Sequence, residues 1–562
     1  MNADQAWCCC NWASLFSGTG QSSPEHEGGQ KAPRGGLGRN RTADTGIFNP
    51  LLYRLSYQAW SRVGREGERD GAFGNGFLRA ADFLRVAGCG GGRFGCFGSV
   101  EARMNFPWHG LILVMMTAAP LAAQVSARQA GAKGDGKADD SAALQAAIDA
   151  HGALRLERGE YRLTRGLSVD LAKLGRFAIS GDGAATLIME GDGAAISLLG
   201  QHGGTADPKT LKPEVWEREN TPSLSGFEIR GANPKACGVE AAGCMQLSLH
   251  HVVISRCLHA VRLHERNRNV SLAQCNLYHN SGIGVFLDAV NLHQINITGC
   301  HISYNRGGGV VSRGGNVRNL QIAGSDIEAN QGAEDPPAAN VELNSTDGSI
   351  GEVAISGCTL QHGSKAPGSA NIRVLGAGSD PSLERRVGRT HTREGNISIT
   401  GNVFSDVSVN IEVRQARGVV ISANTFWEGF EQDLLIEDSE HVLVQGNNFD
   451  RNPRYLVNGF DNSENNGLVL RRVSDSSISG NVIAGVWRKR AAIDALDCQR
   501  LMLQNNQILD SDGAAILLEN CRRCMVSGNL ASDSRQEGRR PGIEVLGGSA
   551  QELELTISGN NP

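Results

Sequence analysis

The stretches Ile397-Ser-Ile-Thr-Gly-Asn402-Val-Phe404, Val419-Val-Ile-Ser-Ala-Asn424-Thr-Phe426 and Val442-Leu-Val-Gln-Gly-Asn447-Asn-Phe449 decide the fold. Each alternates aliphatic and polar residues, reaches a small residue followed by Asn, and resumes with an apolar side chain two positions on. Period-two alternation rich in β-branched residues is a strand signal, and the Gly-Asn step suits a bend with left-handed backbone angles. The same signature runs outward in both directions. It reads Ile-Thr-Gly-Cys300, Ile-Ala-Gly-Ser325 and Ile-Ser-Gly-Cys358 upstream, and Ile-Ser-Gly-Asn481, Leu-Gln-Asn-Asn506, Val-Ser-Gly-Asn529 and Ile-Ser-Gly-Asn560 downstream. Several copies recur at 22 to 25 residues, the period of a solenoid coil.

One such unit cannot bury a face alone, but a stack can. Stacking places equivalent Asn residues about 4.8 Å apart, where their amides can hydrogen-bond along the stack. Cys257, Cys275, Cys300 and Cys358 are expected in the same column further up. A leucine-rich repeat needs a different Leu and Asn spacing, and a propeller blade needs about 40 residues or more. The expected fold is all-β, a single-stranded parallel β-helix. The longer gaps, Ser325 to Cys358 and Cys358 to Asn402, read as loops or as an additional coil plus a loop.

Upstream of the coils, Asp139 or Asp140 can cap a short helix in which Ala143, Leu144, Ala147 and Ile148 form one apolar stripe. Such a helix would cover the open end of the stack. The segment Gly131-Ala-Lys-Gly-Asp-Gly-Lys-Ala-Asp139-Asp140, the helix Ala143-Leu-Gln-Ala-Ala-Ile148 and the turn Gly159-Glu-Tyr161 resemble the opening segment of the pectate lyase superfamily, in its rhamnogalacturonase/epimerase-like group. The resemblance implies a right-handed parallel β-helix with an N-terminal capping helix (131–150). It also implies a secreted protein that acts on or binds polysaccharide. The polygalacturonase-type Asn-Thr-Asp, Asp-Asp, Gly-His-Gly and Arg-x-Lys set is missing from that register, as is the Asp-Pro-His-Asp of mannuronan epimerases. Gln361-His362-Gly363 is the nearest His-Gly, without the preceding Gly and the neighbouring Asp pair.

Candidate chemistry lies on the strands that follow each bend. Asn340-Val-Glu342-Leu-Asn344, Asn371-Ile-Arg373-Val and Asn410-Ile-Glu412-Val-Arg414 point their aliphatic residues in and the intervening ones out. Glu342, Arg373 and Glu412 then form an outward column, the candidate catalytic set, with Arg414 and Glu437 beside it. Two coils put the carboxylates roughly 9 to 10 Å apart, at the upper edge for an inverting glycosidase pair. With Arg373 between them they can instead bind a uronate or serve lyase chemistry, which would bring Ca2+ as a cofactor. The alternative is a ladder of alternating charges that stabilises register. Trp427, Phe430, Tyr455, Phe460, Trp487 and the basic loop around Arg389 offer sugar-stacking and carboxylate-binding side chains; Trp427 and Phe430 can equally pack a loop onto the coil. No metal-ligand set is evident: Cys521-Arg-Arg-Cys524 lacks a partner pair. Cys237 and Cys244 can pair as a disulfide.

Composition agrees with a turn-dense β protein: 72 Gly, 40% hydrophobic and 5% aromatic residues. Net charge is −5 over the chain and −8 from Met104 on, so no nucleic-acid footprint is implied. With the signal segment, the resemblance implies a secreted, periplasmic or cell-surface protein with a polysaccharide partner. It is either a lyase or glycoside hydrolase of an acidic polysaccharide, or a non-catalytic carbohydrate-binding or surface structural β-helix.

Residues 1–103 differ in character, being Gly- and Arg-rich without periodicity. Residues 104–123 read as a secretory signal, with the apolar run Leu111–Met116 and small residues up to Ala123. That run is too short for a good membrane span, and 124–562 is the β-helix domain. Permitted codons for Arg41–Tyr57 spell a string like the reverse complement of a phenylalanine tRNA gene. We therefore expect translation to start near Met104, the alternative being a disordered extension. The coding DNA should carry a tRNA gene on its opposite strand there; its absence overturns the expectation.

Overall fold

The computed structural model describes residues 124–332, 334–363, 366–376, 395–451, 465–535 and 541–561. The signal segment, everything upstream of it, Arg389, Tyr455 and Phe460 lie outside the described residues. The strands form two long parallel sheets, one of 27 strands and one of 15, in which successive coils pair in register. The expected β-helix is what the chain builds.

One coil illustrates the rest. Strand Val285–Thr298 crosses two faces, bending at Ala289 where φ is 45°. Gly299 turns the corner with φ 61°, and the three-residue strand His301–Ser303 forms the third face in the smaller sheet. Tyr304 bends left-handed again, and Val310 starts the next coil. Each long gap falls within a single coil, because Asp326 pairs directly with Thr359 and Thr359 with Val403.

The Gly-Asn residues are buried and stack as expected. Asn447 shows why the position demands an amide. Its Oδ1 accepts from the Asn424 backbone amide and Nδ2, both at 3.0 Å. Its Nδ2 donates to Asn481 Oδ1 and to Ile421 O, also at 3.0 Å. Donor and acceptor are both satisfied, as a buried amide requires. The column runs from Cys358 and Asn402 through Asn529 to Asn560. Beneath it Phe404, Phe426 and Phe449 stack with centroids 4.9 and 4.4 Å apart, so amide and aromatic columns share one repeat.

A second amide column, not anticipated from the sequence, lines the opposite corner. Asn280, Asn305, Asn330, Asn340, Asn371 and Asn410 donate one to the next at 2.7–2.8 Å. Cys257 tops this column, donating its backbone amide to Asn280. It therefore does not share the column of Cys275, Cys300 and Cys358, because the Arg256 bend lies at the other corner. Cys237 and Cys244 are free buried thiols, which corrects the expected disulfide; Cys521 and Cys524 are also free and buried.

The capping helix spans Ser141–His151 and buries Leu144, Ala147 and Ile148. Its start differs in detail from expectation. Asp140 makes no side-chain cap bond; its carboxylate accepts instead from Lys133 N and Gly134 N. Asp139 accepts from Ser141 N at 3.1 Å and from the Thr164 hydroxyl at 2.6 Å. One Asp therefore shapes the preceding loop, and the other ties the helix start to the coil.

The second amide column ends on Asp433, which is fully buried and accepts from Asn410 Nδ2 at 3.0 Å, while its Oδ2 has no partner. Burial pushes its carboxyl up to about 7, against about 3.9 in an unfolded chain. Between these values the folded state holds a proton that the unfolded state has released. Stability therefore falls as pH rises from about 4 to about 7, by up to about 4 kcal/mol. Asp433→Asn keeps the amide geometry without the charge. It should raise the melting temperature more at pH 8.5 than at pH 4 in calorimetry; equal shifts at both would show that Asp433 is not the titrating group.

Candidate functional site

The outward column expected from the sequence is present. Glu342 pairs in register with Arg373, and Arg373 with Glu412. Its chemistry is that of a saturated ladder. Arg313 Nε donates to Glu342 at 2.7 Å, and Arg373 Nε donates to Glu412 at 2.7 Å. Arg373 thus binds one carboxylate and the Gly368 carbonyl rather than bridging the two Glu residues. Arg414 holds the other oxygen of Glu412 at 2.6 Å and also pairs with Glu437. Burial raises the Glu412 carboxyl, but Arg373 and Arg414 outweigh it and hold it below the ordinary carboxylate range. A carboxylate so paired stays ionised and has little appetite for a proton. The ladder continues through Arg471, Asp494, Arg490 and Glu519.

The aromatic candidates separate. Trp487 donates Nε1 to Asp510 O, and Arg451 lies over its ring at 3.8 Å with Arg535 at 5.6 Å. Cations therefore occupy the ring that was expected to stack on sugar. Trp427, half-buried, sits at the bend beside a different cluster.

That cluster lies on the smaller sheet. The register Tyr278, Ser303, Glu328, Gln361 and the parallel row Asn276, His301, Asp326, Thr359 bring His301, Asp326 and Glu328 onto adjacent coils. The next position on each coil is a left-handed bend, occupied by His279, Tyr304, Ala329, His362, Asp406 and Glu428. Side chains from strand row and bend row converge. His362 Nδ1 lies 2.9 Å from Asp406 Oδ2, and its Nε2 3.7 Å from Glu328 Oε2. His301 Nε2 lies 3.5 Å from both Asp326 Oδ2 and Glu328 Oε1. Thr359 donates to Asp326 at 2.8 Å, and Gln361 donates to Glu328 at 3.4 Å.

Electrostatics follow from this packing. The Asp406 hydrogen bond, assisted by Glu328 and Asp326, holds the His362 imidazole above its ordinary value despite partial desolvation. Glu328 does the same for His301 and is itself held low by His301. Burial pushes Asp406 up, and its bonds to His362 and Glu428 bring it below the ordinary range. Glu428 is buried, whereas the His362 side chain is 51% exposed. A half-exposed imidazole held on Nδ1 by a largely covered carboxylate, with a second carboxylate 3.7 Å from Nε2, is an arrangement an acid–base group can use. His301, Asp326 and Glu328 also form a set able to hold a divalent ion, their donor atoms lying within 4.8 Å of one another. One imidazole and two carboxylates suit a first-row transition metal better than Ca2+, which takes oxygen ligands.

In the sequence His362 stands in a Gln-His-Gly without the preceding Gly and without a neighbouring Asp pair. Its acidic neighbours come from other coils: Asp406 is 44 positions on, Glu328 is 34 positions back. The usable signal was the bend row, one residue past each short strand.

Residues 341–487 and 457–561 match the family model described as the right handed beta helix region. No curated protein sequence matches the chain. Tailspike protein 3 of bacteriophage CBA120 is similar in structure, with 16% identity and a TM-score of 0.47 over 78% of this chain and 61% of that one. The chain thus spans less than two thirds of that tailspike's length. A tailspike of E. coli bacteriophage HK620 gives 13% identity and 0.44 over 77% and 80%. The catalytic unit of an α-1,3-glucanase from Streptomyces thermodiastaticus gives 13% and 0.36 over 78% and 69%. The family match gives the hand of the coil, in keeping with the pectate lyase-like opening segment. No helix among the described residues is long and apolar enough to cross a membrane.

Both imidazoles should titrate above the ordinary value of about 6.5. In His-selective NMR titration, Asp406→Asn should lower the His362 midpoint while leaving that of His301 in place. An unmoved His362 midpoint would remove Asp406 as its partner.

Proposed function

We propose that this right-handed parallel β-helix protein is a secreted protein that cleaves an acidic polysaccharide, with His362 as the proton-transferring group. The carrying observation is the Asp406–His362 pair at 2.9 Å with Glu328 across the ring. The apolar run Leu111–Met116 with its small-residue flank supports secretion. In this reading Asp406 orients the imidazole and stabilises its protonated form. The neutral ring takes a proton from the sugar carbon beside a uronate carboxylate, or from an attacking water. Glu328 and His301 hold polarity at the same face. Tyr304, stacked on His279 at 4.9 Å, offers an apolar surface to a sugar ring on the neighbouring coils. The Glu342–Arg373–Glu412 column, with Arg414 and Glu437, acts as a register ladder and a polar wall for the chain.

Because the His362 value is raised, turnover should climb with pH through a midpoint above about 6.5 and level off once the ring is neutral. The test is incubation with pectin, alginate and related polymers, with and without calcium. Unsaturated-product absorbance reports elimination, and reducing ends report any cleavage. His362→Gln should cut kcat at least a hundredfold with the melting temperature unchanged, whereas Glu412→Gln should leave kcat within a fewfold. The reverse pattern would move the chemistry to the Glu412 column. Binding without product on any polymer would make the protein a carbohydrate-binding β-helix.

A further inference from the structure

Several arginines on the outward rows are matched to carboxylates: Arg262 to Asp288 at 2.6 Å, Arg313 to Glu342 at 2.7 Å, Arg471 to Asp494 at 2.8 Å. Arg266 and Arg268 break the pattern. They stand two residues apart on strand Val261–Ala273, beneath the segment 200–221, and have no carboxylate partner among the described residues. Arg268 is 7% exposed, and His202, on the covering segment itself, is 3% exposed.

The bonds they do make leave donors over. Arg266 Nε donates to His202 Nε2 at 3.2 Å, and its Nη1 donates to Asn291. Arg268 Nη1 donates to the carbonyls of Thr205 and Ala206 at 3.0 and 2.9 Å. Arg266 Nη2, Arg268 Nε and His202 Nδ1 are buried without a partner. Since His202 Nε2 accepts from a guanidinium, its Nδ1 carries the hydrogen. All three orphans are therefore donors. Desolvation and the two guanidiniums push His202 down to about 4, keeping it neutral. Burial and Arg268 together lower Arg266. His293, one coil on from Arg268, is lowered by burial, Arg268 and Arg266, with Glu352 opposing. Glu219 is buried on the covering segment, but its carboxylate accepts from Gln201 N at 2.8 Å.

Two neighbouring cations without a carboxylate partner among the described residues, Arg268 buried and Arg266 half-buried, and three buried orphan donors on them and His202 are costly to hold there. We propose that Arg266, Arg268 and His202 bind one compact oxyanion, a carboxylate, sulfate or phosphate group, under the 200–221 segment. The anion would accept from the orphaned Arg268 Nε and Arg266 Nη2 and leave the two carbonyl bonds of Arg268 Nη1 in place, adding hydrogen bonds between opposite full charges, which are the strong ones. The proposal is independent of the chemistry at His362.

Isothermal titration calorimetry of the full chain at constant ionic strength, with inorganic phosphate, inorganic sulfate and trigalacturonate, tests it. Saturable binding of at least one of these at a single site is expected, weakened at least tenfold in Arg266→Gln and in Arg268→Gln. It should be unchanged in Arg472→Gln, which breaks an exposed pair with Asp438 elsewhere. Tighter binding of the inorganic ions identifies a free anion as the ligand, and tighter binding of trigalacturonate identifies a polymer substituent. Arg268 also anchors the covering segment, so Arg266→Gln, which leaves that anchor, decides the matter if Arg268→Gln does not fold. No saturable binding, or binding that Arg266→Gln leaves intact, overturns the proposal.

Discussion

Everything in this molecule hangs on buried side-chain amides that hydrogen-bond to their equivalents one coil away. A β-helix corner must turn the backbone within two residues, which strips polar groups of their strand partners. An Asn there returns a donor and an acceptor to the interior. Because each amide in the column serves the next, the cost of losing one falls on its neighbours as well. Leaving a buried polar group unpaired costs about 1–3 kcal/mol. The two columns sit at opposite corners, and between them the aliphatic residues and the Phe404–Phe426–Phe449 stack fill the core.

Register is the functional consequence. Once the amides fix which residue lies over which, any side chain on an outward position has neighbours at a set spacing above and below. The Glu342–Arg373–Glu412 column and the His301–Asp326–Glu328–His362–Asp406 cluster are two uses of that spacing. In the first, opposite charges alternate along a straight row, and each neutralises the next. In the second, the row bends, so a side chain at the left-handed position meets carboxylates from the strand beside it and from the next coil. The bend leaves the His362 side chain half-exposed between two carboxylates, whereas the straight row pairs each charge with the next.

Arginine shows the same logic from the other side. Where it stands in a row with acids, it adds cohesion and little else. Arg266 and Arg268 stand two apart on one strand under His202 of the covering segment, with no carboxylate partner among the described residues, and in the proposed site an external anion supplies the counter-charge. Burial of Arg268 and His202 sharpens the demand, since solvent screens a buried charge poorly.

The repeat Ile-x-Gly-Asn, the apolar residue two positions on and the Asp-rich helix start were enough for the parallel coil, its capping helix and the outward row of Glu342, Arg373 and Glu412. These are local properties: alternation, bend chemistry and helix capping act over a few residues. The second amide column was also written in the chain, as Asn280, Asn305 and Asn330, but without the flanking Gly it did not stand out. The partners were decided only by the tertiary structure. Whether Glu412 meets one arginine or two, and whether His362 has an acid beside it, depends on insertions that bring residues 34 to 44 positions apart into contact. No local rule sets those distances; the stacking of whole coils does.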